Sequence, residues 1–216
     1  MRLCEELARA FRPYKVYYLD SKRAEAAALG GEACEVSLPV AQKLAGTRTP
    51  QGLFALFPCP APMPRQAFTG KGRYLCLERV QDPSNLGALV RSAAAFGFDA
   101  VALSPGCADA FSQKALRASM GAVFRRPPQS APMEDVLRVC HAAGIPIAAT
   151  ALSDTACDLR EVDLKRHLVV IGSEGQGICP ELLAASDRQI IIPMQPRCES
   201  LNAAVAAAIV LWQMRP

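Results

Sequence analysis

Arg91 is the only charged residue between Ser84 and Gly97, in the stretch S-N-L-G-A-L-V-R-S-A-A-A-F-G. Helical spacing puts Ser84, Gly87, Arg91 and Ala95 on one face, so a long guanidinium stands on a strip of small side chains that leaves room for a bulky ligand. A guanidinium stays protonated in proteins, which suits it to anion binding and charge stabilisation rather than proton abstraction. An arginine snorkelling from a packed helix to solvent would give the same pattern. The turn before the helix, Q-D-P-S-N at 81–85, is loaded with polar groups and favours a site. A second candidate is Glu174, at the centre of the glycine-rich loop G-S-E-G-Q-G at 172–177. It reads either as an exposed loop carboxylate or as one held to orient a ligand or an arginine. The loop has neither the G-x-G-x-x-G of a dinucleotide site nor the G-K-[ST] of a Walker A loop.

Both candidates follow strand-like runs. Tyr74–Leu77 is a short apolar run, Asn85 is the expected N-cap of the next helix, and Gly97 its stop. From there strands at 74–77, 100–103, 145–151, 167–171 and 188–192 alternate with helices at 86–96, 110–119, 133–143 and 180–185. Buried strands joined by helical crossovers predict an α/β fold with a mainly parallel sheet covered by helices on both faces. Ligands in such folds lie at the carboxyl ends of the strands. The loops 81–85, 152–154, 172–177 and 193–199 all leave strand ends and are expected to converge. A last helix over 200–214 is apolar nearly all round, which predicts that it is covered on every side, either at an interface with a second subunit or as a central core helix.

The first 57 residues read as a compact α/β unit. Helix patterns at 2–11, 22–29 and 39–44 alternate with strand patterns at 16–19, 34–36 and 52–57. Four prolines, at 58, 60, 62 and 64, and two glycines then mark a semi-rigid linker over 58–72. Residues 1–72 hold ten Lys or Arg and six Asp or Glu, whereas residues 73–216 hold fourteen of each. The excess positive charge therefore sits in the first third of the chain, where Arg12, Lys15, Lys22, Arg23 and Arg48 are candidate phosphate contacts, the alternative for each being a solvated surface charge.

Composition excludes several classes. The chain of 216 residues is 51% hydrophobic and 20% charged, as globular proteins are. No apolar run reaches the ~18 residues of a membrane helix, and the charged N-terminus is no secretory signal, so a cytoplasmic location is expected. The nine cysteines form no C-x-x-C pair and have no nearby histidine pair. They read as reduced thiols, with neither disulfides nor a metal site expected. Cys179 and Cys198, near the expected site, read as bystanders.

Taken together, D-P-S-N-L-G-A-L-V-R-S-A-A-A-F-G, then I-G-S-E-G-Q-G-I, then I-I-P-M…E-S-L-N-A-A-V-A-A-A-I resemble the three ordered motifs of the SpoU (TrmH-type) RNA ribose 2′-O-methyltransferases of the SPOUT superfamily. A-S-M-G-A at 118–122 resembles a segment between the first two. The match covers about residues 73–216. Residues 1–57, with T-P-Q-G at 49–52, resemble the small substrate-binding domain of rRNA-modifying members.

The resemblance implies S-adenosylmethionine as methyl donor, without metal, and a ribose 2′-hydroxyl of structured RNA as acceptor, most often ribosomal and less often tRNA. It also implies a deep C-terminal trefoil knot and a homodimer formed through the C-terminal domain. Arg91 falls on the catalytic arginine of the first motif and Asn85 on its asparagine. Glu174 falls on the glutamate of the second, and Ser200 and Asn202 complete the third. Gly172, Ile192, Met194 and Leu201 fall on cofactor-binding positions, and Leu152 is expected to flank the adenine.

No histidine or lysine in these motifs serves as a base, so Arg91 is expected to bind the adjacent phosphate and stabilise a developing alkoxide. Two departures stand out. The family's small domain usually starts about thirty residues earlier, which the small core here also suggests. RNA selection is then altered, or the start is shortened. Pro196 stands where many relatives have glycine and restricts φ beside the expected pocket. A catalytically weak SPOUT-like RNA-binding dimer is the alternative reading. A nicotinamide-dependent oxidoreductase is disfavoured by the missing glycine fingerprint.

Overall fold

The computed structural model of the chain describes residues 3–61, 68, 72–153, 155–195 and 200–214. Most of the proline-rich 58–72 stretch lies outside these residues, as do Asp154, Pro196 and Cys198. The chain divides into two compact units, Met1–Pro60 and Ala61–Pro216.

The first unit carries α1 (Leu3–Ala8), β1 (Lys15–Tyr18), α2 (Arg23–Leu29), β2 (Glu32–Glu35), α3 (Leu38–Ala45) and β3 (Leu53–Leu56). The sheet order is β2-β1-β3, with β1 parallel to β2 and antiparallel to β3. Alternation along β1 buries Val16 and Tyr18, which join Leu53 and the α2 residues Ala26 and Leu29 in one small core.

The second unit is built on β4 (Tyr74–Leu77), α4 (Pro83–Ala95), β5 (Ala100–Leu103), α5 (Gln113–Ser119), α6 (Ala122–Arg125), β6 (Gln129–Ser130), α7 (Met133–Ala142), β7 (Ile147–Thr150), β8 (Cys157–Asp158), β9 (Leu168–Ile171), α8 (Pro180–Ala184), β10 (Arg188–Ile191) and α9 (Ala203–Gln213). The seven strands run in the order β6-β5-β4-β9-β7-β10-β8, and every pair is parallel. All four residues of β4, of β5 and of β9 are buried, because helices cover both faces. Tyr74, Cys76, Ala100, Ala102, Leu168 and Val170 share a core with α7 and α8. Residues of the other parity face the side where α4 packs against α5 and α9.

Two helix starts differ from expectation. Helix α4 begins at Pro83, and its N-cap is Asp82, not Asn85. The Asp82 carboxylate accepts from Ser84 N at 2.8 Å. Proline at the first position lacks the N–H that would otherwise go unpaired. Asn85 thus lies inside the first turn with its side chain free for other work. Helix α9 begins at Ala203 because Asn202 caps it, accepting from Ala204 N at 2.9 Å and Val205 N at 3.3 Å. Its large residues Val205, Ile209 and Trp212 are 49%, 39% and 52% exposed, so in a single chain the helix is not covered on every side.

Candidate active site

Three strand ends build a cavity of about 560 Å³. After β9 the chain enters the 172–177 loop, after β7 it passes Ala151 to Ser153, and after β10 it continues through Ile192 and Met194. Ser200 and Leu201, just ahead of α9, close the fourth side. All five expected cofactor positions, Leu152, Gly172, Ile192, Met194 and Leu201, line this one space, as do Ser200 and Glu174. The lining also includes Thr150, Gln176 and Gln189, which the motifs did not single out.

The glycine loop is held by its own backbone. Ser173 N donates to Gly177 O at 3.1 Å and Gly177 N to Ser173 O at 3.0 Å. Gln176 N donates to Ser173 Oγ at 3.2 Å. Gly172 tolerates no side chain, because a Cβ there would stand 2.3 Å from the Gly177 carbonyl carbon and 2.6 Å from Ile178 N. The loop folds back on itself so tightly that only a bare backbone fits, and the strand end stays open to the cavity.

Beside the cavity a directed chain of hydrogen bonds joins three residues far apart in sequence. Asn202 spends its carbonyl oxygen on the α9 cap, so its amide nitrogen faces outward and donates to Asn85 Oδ1 at 3.1 Å. The Asn85 nitrogen then donates to Glu174 Oε1 at 2.8 Å. Both amide orientations follow from the cap, and the chain ends on a carboxylate, which when ionised only accepts. Asn85, Glu174 and Asn202 are therefore brought together as one unit.

Arg91 does not belong to that unit. It is exposed on α4, six residues and about 9 Å along the axis from Asn85, and has no partner among the described residues. The strip of small residues beneath it leaves no room for a ligand at Gly87. A Cβ at Gly87 would meet Ala115 O at 2.4 Å and Ala118 Cβ at 2.8 Å, so α5 already fills the space. The same contact places Lys114 Nζ 2.9 Å from Asp82. Lys114, and then the Ser84 N–H, hold the Asp82 carboxyl below its ordinary value.

Glu78, at the end of β4, carries a role that its sequence position concealed. It is buried, accepts from Cys179 N at 2.9 Å and pairs with Arg79 Nη2 at 3.3 Å, fastening β4 to the chain beyond the glycine loop. A charged residue at a strand end reads as solvated, so nothing local marks it. Burial, then the hydrogen bond to Glu78, pushes the Cys179 thiol up, away from reactivity.

In the first unit, three of the five candidate phosphate contacts are already ion-paired. Lys15 pairs with Glu32 at 3.0 Å, Lys22 with Glu25 at 2.7 Å, and Arg23 with Asp20 at 3.0 Å and Glu35 at 2.5 Å. Arg12 and Arg48 are exposed. Among the described residues no group of His, Cys, Asp or Glu could hold a metal ion, and no helix is long and apolar enough to cross a membrane.

The chain is similar to RNA methyltransferases of known sequence and structure. The chain is 35% identical over 169 residues to the 23S rRNA (guanosine(2553)-2′-O)-methyltransferase RlmP of Bacillus subtilis (strain 168), covering 78% of this chain and 66% of that protein. It is 36% identical over 141 residues to the tRNA (guanosine(18)-2′-O)-methyltransferase of Escherichia coli (strain K12), covering 64% of this chain and 61% of that one. The chain thus spans about two thirds of the length of these curated relatives. Among solved structures, an AdoMet-bound rRNA methyltransferase from Sinorhizobium meliloti superposes with a TM-score of 0.86 at 30% identity. The match covers 99% of this chain and 84% of that one. An RNA methyltransferase structure of the TrmH family from Porphyromonas gingivalis gives 0.83 at 32% identity, covering 99% and 86%. The family model described as the SpoU rRNA Methylase family matches residues 72–212, and the chain belongs to that family.

Proposed function

We propose that this chain transfers the methyl group of S-adenosylmethionine to a ribose 2′-hydroxyl of structured RNA, with ribosomal RNA the foremost substrate. The observation that carries the reading is the cavity at the ends of β7, β9 and β10, flanked by the Asn85–Glu174–Asn202 chain. The donor set suits the cofactor. Leu152, Ile192, Met194 and Leu201 offer apolar walls to an adenine, and the bare backbone at Gly172 offers polar groups at close range. When bound there, S-adenosylmethionine supplies an electrophilic methyl group.

The chain's own residues then position the nucleophile. Asn85 and Glu174 orient the ribose at the mouth of the cavity, and Asn202 and Ser200 fix that mouth to the start of α9. Arg91 stays protonated, binds the neighbouring phosphate and stabilises negative charge developing on the 2′-oxygen. Much of the acceleration comes from holding the two reacting groups in line. The first unit serves as an RNA-binding module, with exposed Arg12 and Arg48 among its phosphate contacts. A homodimer through α9, a C-terminal trefoil knot and a cytoplasmic location complete the proposal. The strand order, with β9 inserted between β4 and β7, is compatible with such a threaded path.

The test is transfer of labelled methyl from S-adenosylmethionine to unmodified ribosomal RNA, followed by alkaline hydrolysis. The expected result is label in alkali-resistant dinucleotides, lost in Arg91→Ala. Label in mononucleotides would mean base methylation and overturn the acceptor. Cofactor binding with no transfer to any RNA would favour an RNA-binding dimer.

A further inference from the structure

A second cavity, of about 490 Å³, opens on the same edge of the parallel sheet, and nothing in the motifs accounts for it. It lies at the carboxyl ends of β5 and β6 and is lined by Ser104, Cys107, Asp109, Phe111 and Ser130 among others. Strand β4 separates β5 from β9, so the ends of β5 and β9 stand two strand spacings, about 10 Å, apart. The first turn of α4, which carries Asn85, follows the end of β4 between those two strand ends.

The cavity is fixed rigidly to the end of β4. Arg79 N donates to Ser104 Oγ at 2.9 Å, Ala108 N to Val80 O at 2.8 Å, and the Cys107 thiol to Leu77 O at 3.3 Å. Within the cavity, Asp109 Oδ1 accepts from Phe111 N at 2.8 Å. That bond closes a small turn and takes one lone pair of Oδ1, leaving Oδ2 and the other lone pair of Oδ1 for a ligand with two donors. The Phe111 ring is braced edge-on by Phe124, with centroids 5.7 Å apart, and adds apolar surface.

We infer that this cavity receives the base of the RNA nucleotide at the site and selects guanine, with Asp109 reading its Watson–Crick edge. The inference rests on the RNA methyltransferase reading and deepens it. A carboxylate only accepts hydrogen bonds. Guanine presents two adjacent donors, N1–H and N2–H, to such a group. Adenine and cytosine each place an acceptor ring nitrogen beside a single amino group, and uracil flanks its one N–H with carbonyls. Single-stranded or flipped bases are read on this edge and against aromatic side chains. With the base in the second cavity, its ribose falls at the α4 turn, between the base site and the methyl donor's site.

The experiment is methyl transfer to unmodified 23S rRNA with the full chain, read by mass spectrometry of the nucleosides, for wild type, Asp109→Asn and Phe111→Ala. Asp109→Asn keeps the oxygen that caps Phe111 N, so the turn survives, but replaces the second acceptor with a donor that opposes guanine. The expected product is 2′-O-methylguanosine. Asp109→Asn should lower kcat/KM about ten- to a hundredfold, with S-adenosylmethionine affinity and melting temperature unchanged. A different methylated nucleoside from the wild type overturns the inference, as does full activity in both variants. Those failures leave methyl transfer intact. Absence of transfer to any RNA by wild type, with the donor bound, would instead bring down the underlying reading and the inference with it.

Discussion

Asn85 works as an amide because it must give on one side and receive on the other. Its nitrogen donates to Glu174 and its oxygen accepts from Asn202. Asn85→Asp keeps the shape and removes the donor, placing a second carboxylate against Glu174. Two carboxylates so close cannot both ionise freely, and one is pushed toward the protonated form. Lower pH then restores a shared proton in place of the lost N–H. Relative to wild type, Asn85→Asp activity should therefore rise as the pH is lowered and fall as it is raised. At neutral pH the loss should be on the order of a hundredfold. A flat ratio across a pH–rate profile would show that the Asn85–Glu174 bond has no part in turnover. Gly172 makes a different demand at the same scale. Its missing Cβ is replaced by the Gly177 carbonyl carbon, 2.3 Å away, and backbone cannot step aside as a flexible side-chain tip can. Gly172→Ala should cost about 1–3 kcal/mol of stability and abolish measurable S-adenosylmethionine binding by calorimetry. Retained affinity would mean that the loop is free to reopen without disturbing the cavity.

Between elements, glycine also sets how closely two helices approach. At Gly87 two effects oppose each other. Alanine in a helix interior gains about 1 kcal/mol over glycine. Here its methyl would sit 2.4 Å from Ala115 O and 2.8 Å from Ala118 Cβ, and overpacking of this kind costs about 1–3 kcal/mol. The clash is with backbone, so it wins: Gly87→Ala should lower the melting temperature and, by moving α4 against α5, displace Asn85 and slow transfer. A raised melting temperature would show that the helices separate at no cost. The strip containing Gly87 is legible as small residues at helical spacing, but that spacing does not say whether a ligand or another helix fills it. Strands β4, β5 and β9 are legible because both faces are buried and the run is continuously apolar. The two-residue strands β6 and β8 and the single-turn α6 are too short for any periodicity. Asn85 reads as a helix cap by residue type, yet Asp82 followed by Pro83 starts the helix earlier, because the side chain of Asp82 reaches Ser84 N. That one-turn difference frees Asn85 for Glu174, 89 residues on. Motif order thus names the candidate residues, whereas the directed hydrogen bonds among them, and buried Glu78 behind them, depend on the return of the chain.

At the scale of the whole molecule, the open question is what covers α9. Its buried side carries Ala207, Val210, Leu211 and Met214 into the second unit's core, while Val205, Ile209 and Trp212 face outward. Phe96, at the end of α4, meets the Trp212 ring edge-on with centroids 5.7 Å apart, so the outward patch is shared by two packed helices and is preorganised. Exposed apolar side chains standing singly are ordinary; three large ones on consecutive turns beside an aromatic pair mark an interaction surface. A two-fold axis would set this patch against its own copy, with no further element required. Each large apolar side chain fully buried there would contribute about 1.5–3 kcal/mol, so one charge at the centre should be decisive. The full chain should sediment as a dimer at micromolar concentration and Ile209→Arg as a monomer, with its far-ultraviolet circular dichroism unchanged. The same helix begins at Asn202, whose side chain holds Asn85 in place. If the dimer steadies α9, the monomeric variant should also bind S-adenosylmethionine more weakly and lose most of its transfer activity. A wild type that sediments as a monomer at every concentration would remove the dimer, and with it the explanation for an apolar face that ordinary surface helices do not show.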